Sequence, residues 1–138
     1  MIDLNTEFGR RAARRLEEER IIWLTTVDAE GMPQPRPVWF WWDGQTFLIY
    51  SQPNTHKLHH IARHPQVALH FDGDGQGGNI IVFSGEARLA PEAPPANQAP
   101  AYVQKYQSGF TRIRMSADEF AGSYSVALRV TPTHLRGH

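Results

Sequence analysis

Tyr50-Ser51-Gln52-Pro53-Asn54-Thr55-His56-Lys57-Leu58-His59-His60 joins two kinds of sequence. Before it, Thr46-Phe47-Leu48-Ile49-Tyr50 is an apolar, β-rich run of strand length. After it, residues 55–63 have the texture of a short helix, closed by Pro65. A proline, an amide, a hydroxyl and a lysine therefore gather where a strand hands over to a helix N-terminus. Free backbone N–H groups and the positive end of the helix dipole favour an anion at such a place. Thr55 can add a donor, and Lys57 a full charge from the first turn. The same residues also suit an ordinary cap by Asn54 or Thr55 with Lys57 in water. Taken locally, the stretch accommodates both readings.

Outward from this junction the chain is mostly strand. Ile21-Ile22-Trp23-Leu24-Thr25-Thr26-Val27 is β-branched and aromatic throughout, and Asp28-Ala29-Glu30-Gly31 is a turn. Residues 34–42 predict a second strand, with Pro33, Pro35 and Pro37 at alternate positions, a pattern that suits a sheet edge or a place beside a bound group. Asp43-Gly44 is a hairpin signal leading into the third strand at 46–51. Residues 66–71, 79–87 and 124–130 read as three more strands, with a glycine-rich loop at 72–78. Leu4, Phe8, Ala12 and Leu16 recur every four residues and predict an N-terminal helix capped by Asp3 or Asn5. Tyr102, Val103 and Tyr106 fall on one side of a short helical pattern, and Ser116-Ala117-Asp118-Glu119 matches a capping box. Residues 131–138 are expected to trail as a loose tail. The sum is one mainly β domain over 1–138: an N-terminal helix at 1–19, then a six-stranded antiparallel barrel with peripheral helices at 20–130.

Composition narrows the function classes. The chain has 138 residues, with 14 Lys plus Arg against 14 Asp plus Glu, so no global field draws it to nucleic acid or an anionic membrane. No cysteine is present, which excludes disulfides and thiolate-held metals and suits a reducing cytoplasm. The first 15 residues are too charged for a signal peptide, and the apolar runs 38–42 and 80–83 are too short to span a bilayer. A soluble cytoplasmic protein is expected.

Several motifs fail on inspection. Gly73-Asp74-Gly75-Gln76-Gly77-Gly78 spells G-x-G-x-x-G, but a strand rather than a helix follows it. Read as a calcium loop from Asp72, its twelfth position is Phe83, which has no carboxylate. His56, His59, His60 and His64 lie at helical spacing, yet no carboxylate on that helix completes a metal site, so no metal is expected. No serine–histidine–acid arrangement stands out either. In Trp39-Phe40-Trp41-Trp42, alternation sends Trp39 and Trp41 to one face and Phe40 and Trp42 to the other. Such a wall suits a core, a dimer contact or a planar cofactor.

Residues 23–40, including Pro33-Gln34-Pro35-Arg36-Pro37-Val38-Trp39-Phe40, resemble the opening hairpin of the pyridoxamine-phosphate-oxidase-like split barrels. Residues 43–51, followed by Lys57-Leu58-His59-His60-Ile61-Ala62-Arg63-His64-Pro65 and 66–69, resemble that family's third strand, cofactor helix and fourth strand. Within the family, the Pro37-Val38-Trp39-Phe40 run, the Asp72-Gly73-Asp74-Gly75 loop and the segment 101–106 resemble the F420-dependent branch. The resemblance implies a split-barrel homodimer with cofactors held in clefts between protomers. By position it assigns the phosphate of F420, or of FMN, to Ser51, Thr55, His56 and Lys57, with His60 nearby, and the ring to the backbone of Arg36, Pro37 and Val38. The family usually has arginine and often asparagine where this chain has His56 and His60. A neutral histidine grips phosphate less firmly than a bidentate arginine. F420, with its long acidic tail, spreads its anchoring over more groups.

The activity implied is F420H2-dependent reduction of an activated double bond in a small molecule. FMN-dependent oxidation or reduction, or non-catalytic flavin or haem binding, are the alternatives. No catalytic side chain is expected, because the hydride comes from the cofactor and the protein supplies position and shielding. The substrate pocket is expected to be lined by the loops 72–78 and 107–115.

Overall fold

The computed structural model describes all 138 residues, Met1–His138. In chain order the elements are α1 (Glu7–Glu18), β1 (Ile21–Val27), β2 (Pro33–Trp39), β3 (Trp41–Trp42), β4 (Phe47–Ser51) and α2 (His56–Arg63). Then come β5 (Gln66–His70), β6 (Ile81–Leu89), a 3-10 turn (Ala96–Gln98), α3 (Pro100–Arg112), α4 (Ala117–Ser123) and β7 (Val126–Gly137). The strands form one antiparallel sheet of seven, ordered β2-β1-β5-β6-β7-β4-β3. Its two end strands, β2 and β3, are neighbours in the chain, so the sheet curls until its ends meet at Phe40. That is a split barrel with peripheral helices.

The seventh strand arises because the predicted second strand, 34–42, breaks at Phe40. The chain passes there from one end of the sheet to the other, and the backbone of Phe40 leaves the ladder. A buried peptide without partners would be costly, and α3 supplies them. Tyr106 Oη accepts from the Phe40 N–H at 2.8 Å and donates toward the carbonyls of Phe40 (2.8 Å) and Arg20 (2.6 Å). Lys105 Nζ donates to the same Phe40 carbonyl at 2.8 Å and lies 3.6 Å from the centroid of the Phe40 ring. Burial lowers the Lys105 ammonium to a pKa of about 8.

Alternation sorts side chains into two cores. Ile22 and Leu24 of β1, Val67 and Leu69 of β5, and Leu128 and Val130 of β7 point inside the barrel with Phe40. Ala12 and Leu16 of α1 cover this cluster, as the four-residue spacing predicts, although Thr6 rather than Asp3 or Asn5 caps the helix, accepting from the Gly9 N–H. All five residues of β4 are buried. Phe47 and Ile49 enter the barrel core, whereas Leu48 and Tyr50 enter a second cluster outside it, formed with Tyr102, Tyr106, Phe110 and Phe120. The aromatic run divides as expected: Phe40 and Trp42 go to the barrel, Trp39 and Trp41 to the outer cluster.

Two expectations are corrected. Residues 131–138 are no loose tail: β7 pairs with β4 and then runs along β6 to Gly137, because β6 offers a free ladder edge over its whole length. The short helix expected at 101–106 extends from Pro100 to Arg112, so 107–112 are helical rather than loop. The α3 helix ends on Arg114, whose φ of 59° is left-handed, while the Met115 N–H returns to the Phe110 carbonyl.

The prolines of β2 pair opposite Val27, Thr25 and Trp23. A residue without an N–H fits only the non-hydrogen-bonded pairs of such a ladder. The outer edge of β2 therefore shows the carbonyls of Pro33, Pro35 and Pro37, with no donors at those positions to recruit another strand. No helix is long and apolar enough to cross a membrane.

Candidate functional site

Between β2, the start of α2 and the α3–α4 pair lies a cleft of about 510 Å³, within the usual range for a ligand site. Arg36, Pro37 and Val38 form one wall, Thr55 and Lys57 a second, and Trp39, Phe120 and Tyr124 contribute aromatic surface. Trp39 is set by packing: its ring stacks on Tyr106 at 4.5 Å and on Phe120 at 5.4 Å. A side chain at Gly109 would meet the Trp39 indole at 2.9 Å, so α3 approaches this closely only with glycine there. Tyr124 continues the stack on Phe120 at 4.3 Å.

Three cations line the cleft, Arg36 of β2, Lys57 of α2 and Arg112 of α3. Lys57 sits in the first turn of α2, half-buried, and makes no ion pair or hydrogen bond within the chain. Burial first, and the nearby Arg36 guanidinium second, lower its pKa. Arg36 reaches in from β2, and its buried Nε also lacks a partner. Two unpaired cations side by side repel one another and lose hydration. An anion placed between them would relieve both costs. Thr55 caps α2 by backbone conformation, but its side chain accepts no cap bond from the first turn, so its hydroxyl is committed only to Ser51 Oγ at 3.2 Å.

Five of the eight residues singled out from sequence therefore meet on this cleft: Arg36, Pro37, Val38, Thr55 and Lys57. Ser51 is fully buried behind Thr55 and bonds the Gln52 carbonyl. His56 and His60 are not on the cleft. His60 binds Thr26 Oγ1 through Nδ1 at 2.8 Å and faces a separate depression near Asp28 and Arg63, while the exposed His56 ring stands 6.3 Å from that of His60. His56 and His60, four positions apart, share one side of α2, and the helical step turns Lys57, next to His56, away from it. Burial lowers the His60 pKa, with positive neighbours adding to it. No cluster of three metal-ligating side chains exists.

The loop 72–78 is also absent from the cleft. It is tied elsewhere: Asp72 accepts from Trp23 Nε1, its carbonyl from Arg15, and Gly77 bonds His138. Arg112 and Ile113, from the expected 107–115 segment, do line the cleft. Tyr50, Tyr102, Phe120 and Tyr124 had no local motif to announce them. Tyr50 sits on β4, Tyr102 and Phe120 on α3 and α4, and Tyr124 just after α4, and only tertiary packing brings them together at β2.

The family model for pyridoxamine 5'-phosphate oxidase matches residues 8–138. The chain belongs to the pyridoxamine 5'-phosphate oxidase family. A pyridoxine/pyridoxamine 5'-phosphate oxidase of Idiomarina loihiensis is 44% identical over 57 residues, which make up 41% of this chain and 27% of that protein. The match thus spans about a quarter of that relative's length. Among solved structures, an F420 reductase superimposes with a TM-score of 0.67 at 21% identity, covering 89% of this chain and 94% of its own. HutZ, the heme storage protein of Vibrio cholerae, gives 0.62 at 15% identity, covering 99% and 95%. Family membership and these likenesses agree on the fold.

Proposed function

We propose that the chain is an F420H2-dependent oxidoreductase that reduces an activated double bond of a small molecule. The observation that carries this reading is the pairing of two unsatisfied cations, Arg36 and Lys57, with an aromatic wall in one cleft. A phosphate fits the first and a planar ring the second. Thr55 would add a hydroxyl to the phosphate, and the outer backbone edge of β2 at Pro37, flanked by Arg36 and Val38, would lie along the ring. Ser51 would hold Thr55 in place. His56 and His60 would act at a distance, by charge rather than contact. Arg36, coming from β2, supplies the guanidinium that the position of His56 lacks. Arg112, on the far side of the same cleft lining, gives an acidic tail another cation to meet. The cofactor supplies the hydride when bound; the chain's residues position it and exclude water. The cleft opens beside the end strand of the sheet, and a homodimer with a second protomer closing it completes the proposal.

FMN is the second reading, supported by the identity with the Idiomarina loihiensis oxidase. Titration of purified protein separates the two: F420 is followed by its own fluorescence, FMN by its visible absorbance. Consumption of F420H2 with a panel of enones and quinones is then the expected activity. Tight FMN binding with no response to F420 would replace the first reading with the second, and a haem Soret band with neither would replace both.

A further inference from the structure

Tyr102 stands at the floor of the cleft, fully buried, and its hydroxyl has no hydrogen-bond partner within the chain. Its ring is held on three sides by Tyr50 (4.9 Å), Tyr106 (4.9 Å) and Phe120 (6.1 Å). The neighbouring tyrosines differ from it: Tyr50 donates to the Pro94 carbonyl and Tyr106 to the barrel corner. A buried hydroxyl left unpaired destabilises the fold. Burial raises its pKa well above the phenol range, so the oxygen keeps its proton and offers a donor. The rings of Tyr50, Tyr106 and Phe120 pack around it and offer it no acceptor, while Tyr102 itself lines the cleft.

We infer that Tyr102 is a specificity-determining hydrogen-bond donor, and that the cleft takes a planar ligand carrying a conjugated carbonyl oxygen at its inner end. This rests on the proposed function only for the source of that carbonyl, which is either the cofactor ring or the substrate. A site that hydrogen-bonds a carbonyl discriminates strongly against the same skeleton without it, because the donor is then left unpaired.

Tyr102→Phe deletes the hydroxyl and keeps the ring. The test measures binding of four probes to wild type and variant by quenching of tryptophan fluorescence: F420, FMN, menadione and 2-methylnaphthalene, the last being menadione's skeleton without carbonyls. The expected result is a loss of roughly tenfold for at least one carbonyl-bearing probe, with 2-methylnaphthalene unaffected and the ligand-free melting temperature unchanged or raised. Loss confined to F420 or FMN assigns the carbonyl to the cofactor; loss confined to menadione assigns it to the substrate. Menadione answers even if neither cofactor binds, which separates failure here from failure of the proposed function. Equal losses for all four probes, no loss for any, or no binding of any probe by wild type would each overturn the inference. A fall in melting temperature with affinities intact would also overturn it, by showing that the hydroxyl serves the fold.

Discussion

The corner at Phe40 and the floor of the cleft are both served by α3, through tyrosines one helical turn apart. Tyr106 and Tyr102 are equally buried, and burial raises the pKa of each. At the corner every polar atom is matched: the Phe40 N–H, the carbonyls of Phe40 and Arg20, the Tyr106 hydroxyl and the Lys105 ammonium close on one another. In the cleft, Tyr102 Oη, Arg36 Nε and the Lys57 ammonium close on nothing in the chain. Proteins rarely leave buried donors alone. On the proposed function, the difference separates groups that hold the fold from groups that meet a ligand.

The comparison breaks most visibly at the corner itself. Phe40 is fully buried against Phe47 and Phe71, so Phe40→Ala should destabilise the protein by about 3–5 kcal/mol in urea unfolding. A loss under 1 kcal/mol would mean that the corner can collapse around the gap. In the cleft, Lys57→Ala should weaken cofactor binding by about 1.5–3 kcal/mol, the range for a hydrogen bond to a charged group. Its unfolding midpoint should hold or rise, because a half-buried ammonium without an anion does not favour the folded state. An unchanged dissociation constant would take Lys57 out of the site. Tyr106→Phe should cost about 1–3 kcal/mol of stability, the penalty of leaving buried partners unmatched, whereas Tyr102→Phe should cost none. Equal stability changes in the two variants would erase the contrast.

Smallest is a pH effect. The folded pKa of Lys105 is about 8, below the ordinary lysine value of 10.5, so between those values the unfolded chain binds more protons. Stability should therefore rise with pH across that window, and the cost of burying the charge is fully present below it. Lys105→Met should flatten this rise. A slope identical in both proteins would point to another group.

Much of this was legible from local sequence. The strands announce themselves by alternation, and the β4–α2 junction by its capping residues and lysine. What was hidden has a common cause. Phe40 reads as the middle of a strand because the groups that let it leave the ladder, Lys105 and Tyr106, lie 65 and 66 residues away. Residues 131–138 read as tail because their partner, β6, is set by topology rather than by neighbours in sequence. His56 and His60 stand close to Lys57 along the chain, but α2 gathers the two histidines on one side and turns Lys57 to another. Arg36 could be named from the resemblance, yet only the fold shows that its charge comes close enough to Lys57 to act on it.

The β7 strand carries a consequence for how this protein is made. It lies between β6 and β4 in the sheet, although it is the last of the seven strands in the chain. Until the ribosome has released it, β3–β4 and the block β2-β1-β5-β6 have no ladder between them, and the apolar inner faces of both stay open. Barrel closure must therefore wait until Val126–Gly137 has been made and released, and such distant pairing makes for slow assembly. A nascent chain stalled before Val126 would be a strong client for a chaperone.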